Sequence, residues 1–69
     1  MKTIRAWRDE LGLTQLQLAM KVGVTPSTIY EWEAGRKEPT ATRLRALADA
    51  LGVKMDDIEI VRRDRKRIE

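Results

Sequence analysis

The chain has 69 residues, room for one domain, and contains no cysteine, no histidine and no phenylalanine. Disulfides, thiol nucleophiles and Cys/His zinc sites are thereby excluded, and no apolar run approaches the ~20 residues that cross a bilayer. The net charge of +3 is unevenly placed: residues 1–61 hold nine Lys/Arg against nine Asp/Glu, and the excess lies in Arg62-Arg63-Asp64-Arg65-Lys66-Arg67-Ile68-Glu69. Any case for a polyanionic partner must therefore come from the order of residues rather than from the isoelectric point.

Met1-Lys2-Thr3-Ile4-Arg5 lacks the apolar stretch of a signal peptide, which fits a soluble, cytoplasmic protein. A chain this short buries only about 60% of its unfolded surface, a condition best met by a compact helical core. Ile4, Trp7 and Leu11 recur at i, i+3 and i+7, one face of a first helix that Gly12 ends. Thr14 opens a second, with Gln17 three residues on completing a capping box; Leu18, Ala19 and Val22 face inward and Gly23 stops it. Thr25-Pro26 starts a third helix almost at once, because proline at the first helical position loses no hydrogen bond. Ile29 and Trp32 are its inward residues and Gly35 its end.

Thr40 caps a fourth helix, in which Leu44, Leu47, Ala48 and Leu51 form the clearest apolar stripe of the chain before Gly52. From Met55 to Val61 a short fifth helix led by Asp56 and Asp57 competes with an extended Ile58 to Val61, and a helical turn is the preferred reading. Residues 1–61 form the domain and 62–69 a basic tail, read as a disordered end, with a backbone-binding arm as the other reading.

Only Val24 separates Gly23 from the cap Thr25, too little chain for an antiparallel hairpin, so the second and third helices must cross steeply. That is helix-turn-helix geometry, in which the second of the two helices can enter a major groove. Leu11-Gly12-Leu13-Thr14-Gln15-Leu16-Gln17-Leu18-Ala19, Val22-Gly23-Val24-Thr25, Ile29, Trp32-Glu33-Ala34-Gly35-Arg36 and Leu47-Ala48-Asp49-Ala50-Leu51-Gly52-Val53 follow in order. Over about Ile4 to Ile58 this resembles the Cro/CI-type (XRE) helix-turn-helix domain of phage repressors and bacterial regulators. The resemblance implies an all-α fold, a compact five-helix bundle of the lambda-repressor-like kind, and binding of operator DNA as a transcriptional repressor or regulator of bacterial or phage origin.

It also implies roles. Thr14 and Gln15 at the start of the second helix would hold a phosphate; Pro26, Ser27, Thr28, Tyr30 and Glu31 would face base edges; Arg36, Lys37, Thr40 and Arg43 would grip further phosphates. Arg8 and Glu33 would tie the first helix to the third. The partner would be double-stranded DNA with a pseudo-palindromic site, bound by a homodimer; Ile58, Ile60 and Val61, which follow the last well-specified helix, are the expected apolar contacts between protomers.

Physical chemistry supports this division, because a helix N-terminus carries about half a positive charge and unsatisfied N–H groups, so a neutral body can still hold phosphates. Two residues depart from the family pattern. Pro26 replaces a common long amide and offers only van der Waals contact, and Glu31 would need a cytosine amino group or a bridging water. Trp7 and Trp32 are read as core rather than as base-stacking platforms. Leu16 and Met20, at i and i+4 on the outer side of the second helix, would cover the C-terminal segment or meet a partner. The alternative function is a protein-interaction module such as an antitoxin, which the short tail disfavours. An enzyme is not expected, since no His, Cys or glycine-rich phosphate loop is available, and no metal, cofactor or small-molecule effector is implied.

Overall fold

Each α-helix among the described residues is preceded by a threonine cap. In the computed structural model, which describes residues 1–62, these are Thr3 before α1 (Ile4–Glu10), Thr14 before α2 (Gln15–Val22), Thr25 before α3 (Pro26–Ala34) and Thr40 before α4 (Ala41–Leu51). Each hydroxyl accepts from an N–H three residues on: Ala6 at 3.1 Å, Gln17 at 3.0 Å, Thr28 at 3.2 Å and Arg43 at 3.3 Å. One such cap is worth about 1 kcal/mol. At Thr14 the box closes, its N–H donating to Gln17 Oε1 at 2.8 Å.

The turn between α2 and α3 depends on Gly23, whose φ of +87° is open to a residue without a Cβ. Val24 N–H then reaches back to Ala19 O at 3.0 Å, the six-to-one bond of a Schellman ending. This leaves Val24 packed against the core and Thr25 in place as the next cap.

The core is Ile4, Leu18, Ala19, Ile29, Trp32, Leu47, Ala48, Leu51 and Ile58, with Trp7, Leu13, Val22 and Leu44 partly buried against it. α2 packs against both α3 and α4, and α1 against α3. No helix among the described residues is long and apolar enough to cross a membrane.

The end of the domain differs from the expected five-helix bundle. There are four α-helices among the described residues, followed by a 3-10 turn at Met55–Asp57 and a short strand, β2 (Ile58–Glu59). β2 pairs in parallel with β1 (Lys2–Thr3), Lys2 opposite Ile58 and Thr3 opposite Glu59. The preferred helical turn thus holds for three residues only. Beyond it Ile58, Ile60 and Val61 supply β-branched residues suited to extended chain, and the N-terminal segment supplies hydrogen-bond partners. Trp7 Nε1–H donates to Asp57 O at 2.9 Å and the Lys2 ammonium stands 4.9 Å from the centre of the Trp7 ring, so β1 and the 3-10 turn meet at one indole.

Two apolar assignments also change. Leu11 is 49% exposed, because α1 stops at Glu10 and the helical spacing that would have turned Leu11 inward no longer applies; Leu13 packs there instead. Ile58 is buried in the core and Ile60 packs against it, so Ile58 is not available as a contact between protomers.

Candidate nucleic-acid interface

Arg8 on α1 and Glu33 on α3 form a tight pair, their side chains 12% and 6% exposed. Arg8 Nε donates to Glu33 Oε2 at 2.7 Å and Nη2 to Oε1 at 3.1 Å, a bidentate fork, while Nη1 donates to Leu13 O at 2.8 Å. The hydrogen bonds to Glu33, with its charge and that of Asp9, hold the guanidinium pKa above its ordinary value against the opposing effect of burial. The cation is therefore kept at any pH at which the protein would be handled.

Gln15 joins this pair. Its Nε2 donates to Glu33 Oε1 at 3.0 Å, which fixes the amide at the start of α2. A side-chain amide has two N–H donors, so one is spent on Glu33 and the other is left for an anion arriving at the helix N-terminus. The first-turn amides of α2 beside it have no intrahelical acceptor.

α3 turns Pro26, Ser27 and Tyr30 to the outside, with Thr28 and Glu31 half-buried beside them. Thr28 Oγ1 lies 2.9 Å from Thr25 Oγ1, so its hydroxyl is engaged at the start of the helix. Glu31 is not free either: Oε1 is 3.6 Å from Lys37 Nζ. A candidate base-reading acid and a candidate phosphate-binding cation thus neutralise one another.

Arg36 and Lys37 are exposed in the loop after α3. Their N–H groups bond to Glu31 O at 2.9 and 3.4 Å, which folds the loop back against the end of α3. Arg43 on α4 reaches across to Gly23 O at 3.4 Å, spanning a shallow cleft lined by Thr25, Thr28, Glu38 and Thr40. The structure therefore assembles the candidate residues in two groups, Thr14 and Gln15 with the Arg8–Glu33 pair, and Thr28, Thr40 and Arg43 about the helix-turn-helix turn.

Sequence reasoning missed the Gln15–Glu33 bond, the Thr25–Thr28 hydroxyl pair and two ion pairs, Glu31–Lys37 and Arg62–Glu38. The two threonines had a visible signal, a cap hydroxyl three residues before another. The others depend on how separate elements meet. Leu16 and Met20, for which cover by the C-terminal segment or a partner was expected, are 56% and 73% exposed.

Residues 4–58 match the helix-turn-helix family, and the chain belongs to it, in its XRE-type, phage-repressor-like branch. An uncharacterized HTH-type transcriptional regulator of Methanothermobacter thermautotrophicus is 47% identical over 62 residues, covering 88% of this chain and 90% of the relative. Multiprotein-bridging factor 1 of Candida albicans is 46% identical over 54 residues, 78% of this chain but only 36% of that protein. Among solved structures, the P22 c2 repressor in complex with a synthetic operator superposes with a TM-score of 0.75 at 40% identity, covering 77% of this chain and 80% of that one.

Proposed function

We propose that the protein is a transcriptional regulator, acting as a repressor, that binds duplex DNA sequence-specifically by placing α3 in the major groove. The observation that carries this is the outward presentation of Pro26, Ser27 and Tyr30 on the second helix of a helix-turn-helix. That bundle superposes on the P22 c2 repressor, whose structure includes a synthetic operator. On this reading Ser27, Tyr30 and Glu31 meet base edges, with Pro26 and Thr28 packing beside them. Thr14, Gln15, Arg36, Lys37, Thr40 and Arg43 position the domain on phosphates, which fix register without reading sequence. Arg8 and Glu33 do not touch DNA; they fix α1, α3 and Gln15 relative to one another.

One recognition helix reads only a few base pairs, so a homodimer on a pseudo-palindromic site, with half-sites about 34 Å apart, is the simplest route to useful specificity. Selection of bound sequences from a random duplex library tests both statements. A two-fold consensus is expected, and Ser27→Ala should relax preference at one position per half-site, by about 1–3 kcal/mol. Recovery of no preferred sequence would sink the regulator reading, and a single asymmetric half-site would sink the dimer.

A further inference from the structure

We propose that Arg62 is a positioning residue for DNA binding: it holds the Glu38 carboxylate off Arg43, so that Arg43 and the start of α4 stay open to a phosphate. This rests on the reading of the domain as a duplex-DNA binder and deepens it by adding a residue that acts without touching DNA. The rest of the basic tail, residues 63–69, lies outside the described residues and plays no part in it.

The first observation is the place of an acid. Arg36, Lys37, Thr40 and Arg43 are the phosphate candidates after α3, and Glu38 stands among them in sequence. It also lines the same cleft as Thr25, Thr28, Thr40 and Arg43. Pro39 follows it, and a residue before proline is biased to extended backbone, so the main chain keeps Glu38 at the cleft. The side chain is left to choose a direction.

The second is what draws that side chain. Arg43 Nη1 donates to Gly23 O at 3.4 Å, a long contact with a neutral carbonyl. A carboxylate makes shorter, charge-assisted bonds to a guanidinium and can engage two N–H groups at once. The positive N-terminus of α4, capped by Thr40, attracts the same charge. Both pulls lead to the place where a phosphate is to bind. A carboxylate settled there would occupy Arg43 and repel the DNA backbone.

The third is the opposing cation. β2 is held by pairing with β1, Ile58 is buried and Ile60 packs on the core, which carries the chain to the α3–α4 loop. There Arg62 Nε donates to Glu38 Oε2 at 2.9 Å. The β1–β2 clasp thus aims the end of the domain at the phosphate-binding rim. With side chains 64% and 36% exposed, the pair adds little to stability. Its effect lies in which cation the acid takes.

The test uses the full-length chain and the variants Arg62→Gln, Arg62→Lys, Glu38→Gln and Glu38→Gln with Arg62→Gln. Fluorescence anisotropy over a salt series measures binding to a selected and a random duplex. Arg62→Gln should weaken binding about three- to tenfold, alike on both duplexes, and make the slope of log affinity against log salt shallower by up to ~0.9, one phosphate contact. Arg62→Lys keeps a cation for Glu38 and should largely restore binding. With Glu38 already neutral, Arg62→Gln should cost much less. Thermal unfolding should stay cooperative in every variant. The Arg43 Nε–H resonance gives a readout without DNA: it should move in Arg62→Gln, where Glu38 turns to Arg43, and return in the double variant.

A loss from Arg62→Gln that is as large when Glu38 is neutral would overturn the proposal by making Arg62 itself a phosphate ligand. So would unchanged binding in Arg62→Gln, a loss confined to one sequence, or an Arg43 resonance that does not respond. If the unaltered chain binds no duplex, the reading of the domain fails, and the Arg43 resonance still decides whether Arg62 governs the Glu38 carboxylate.

Discussion

Glu31 and Glu33 stand two residues apart on α3 and meet opposite environments. At 3.6 residues per turn that step carries a side chain about 200° around the helix, from the outer side to the side packed on α1. Glu33 is 6% exposed and accepts from Arg8 twice and from Gln15 once. Glu31 is a third exposed and has one cation, Lys37, at 3.6 Å. The same functional group is a structural pin on one face and an adjustable charge on the other. The difference shows how a short helix can be fixed firmly to its domain and still offer a surface whose contacts rearrange when a ligand arrives.

The comparison breaks most visibly at Glu33. Glu33→Ala removes both acceptors of the Arg8 fork from a partly buried pair, leaving the guanidinium only Leu13 O and the more exposed Asp9, and takes the acceptor from the Gln15 amide as well. A loss of about 3 kcal/mol is expected, the lower end for such a pair because the cluster lies near the surface of a small domain. Glu31→Ala should cost no more than the ~0–1 kcal/mol of an exposed pair. Urea unfolding of the two variants measures the contrast. Equal midpoints would show that burial does not separate them.

A smaller effect separates the phosphate candidates that each carboxylate holds. Gln15 is fixed by Glu33, so its remaining N–H is aimed before DNA arrives, whereas Lys37 must leave Glu31. Gln15→Ala is expected to weaken binding about tenfold, ~1.4 kcal/mol, by the same factor on selected and random duplexes. Lys37→Gln should cost less, because binding through Lys37 first breaks its pair. The reverse order in a titration of both variants would mean that fixing Gln15 gives no advantage.

How much of this was legible follows from where each signal resides. Thr14, Thr25 and Thr40 were readable as caps because each stands directly before an amphipathic run and after a glycine-ended one. Thr3 was not, since only Met1 and Lys2 precede it and the first helix was placed from apolar spacing alone. The same spacing misled at Leu11, where periodicity was carried one residue past the end of α1. The β1–β2 clasp joins residues 2–3 to 58–59, and pairing of two-residue strands across the whole chain leaves no local trace. Within the candidate site, residue types and the Arg8–Glu33 pair could be named through the family resemblance. Gln15–Glu33 and Arg62–Glu38 depend on the approach of separate elements, which only the folded chain supplies.

The smallest effect on stability, and the sharpest on the outer face, is expected from Glu31→Gln. Glutamine keeps the length and shape of the side chain and removes its charge, so α3 should unfold as before. On the DNA side three consequences follow from that one change. An acid that can only accept is replaced by an amide that donates and accepts, so preference for a cytosine amino group near this residue should weaken and adenine become acceptable. Lys37 no longer divides its charge between Glu31 and a phosphate, so a contact only partly made in the unaltered protein should be made in full, which should steepen the salt dependence by up to about 0.9. Repulsion between Glu31 and the backbone disappears, so affinity for random duplex should rise. Combining Glu31→Gln with Lys37→Gln separates these causes: the steeper salt slope should be lost while the altered base preference remains. If the double variant keeps the steeper slope, Lys37 is not the released cation, and the pair seen at 3.6 Å has no part in recognition.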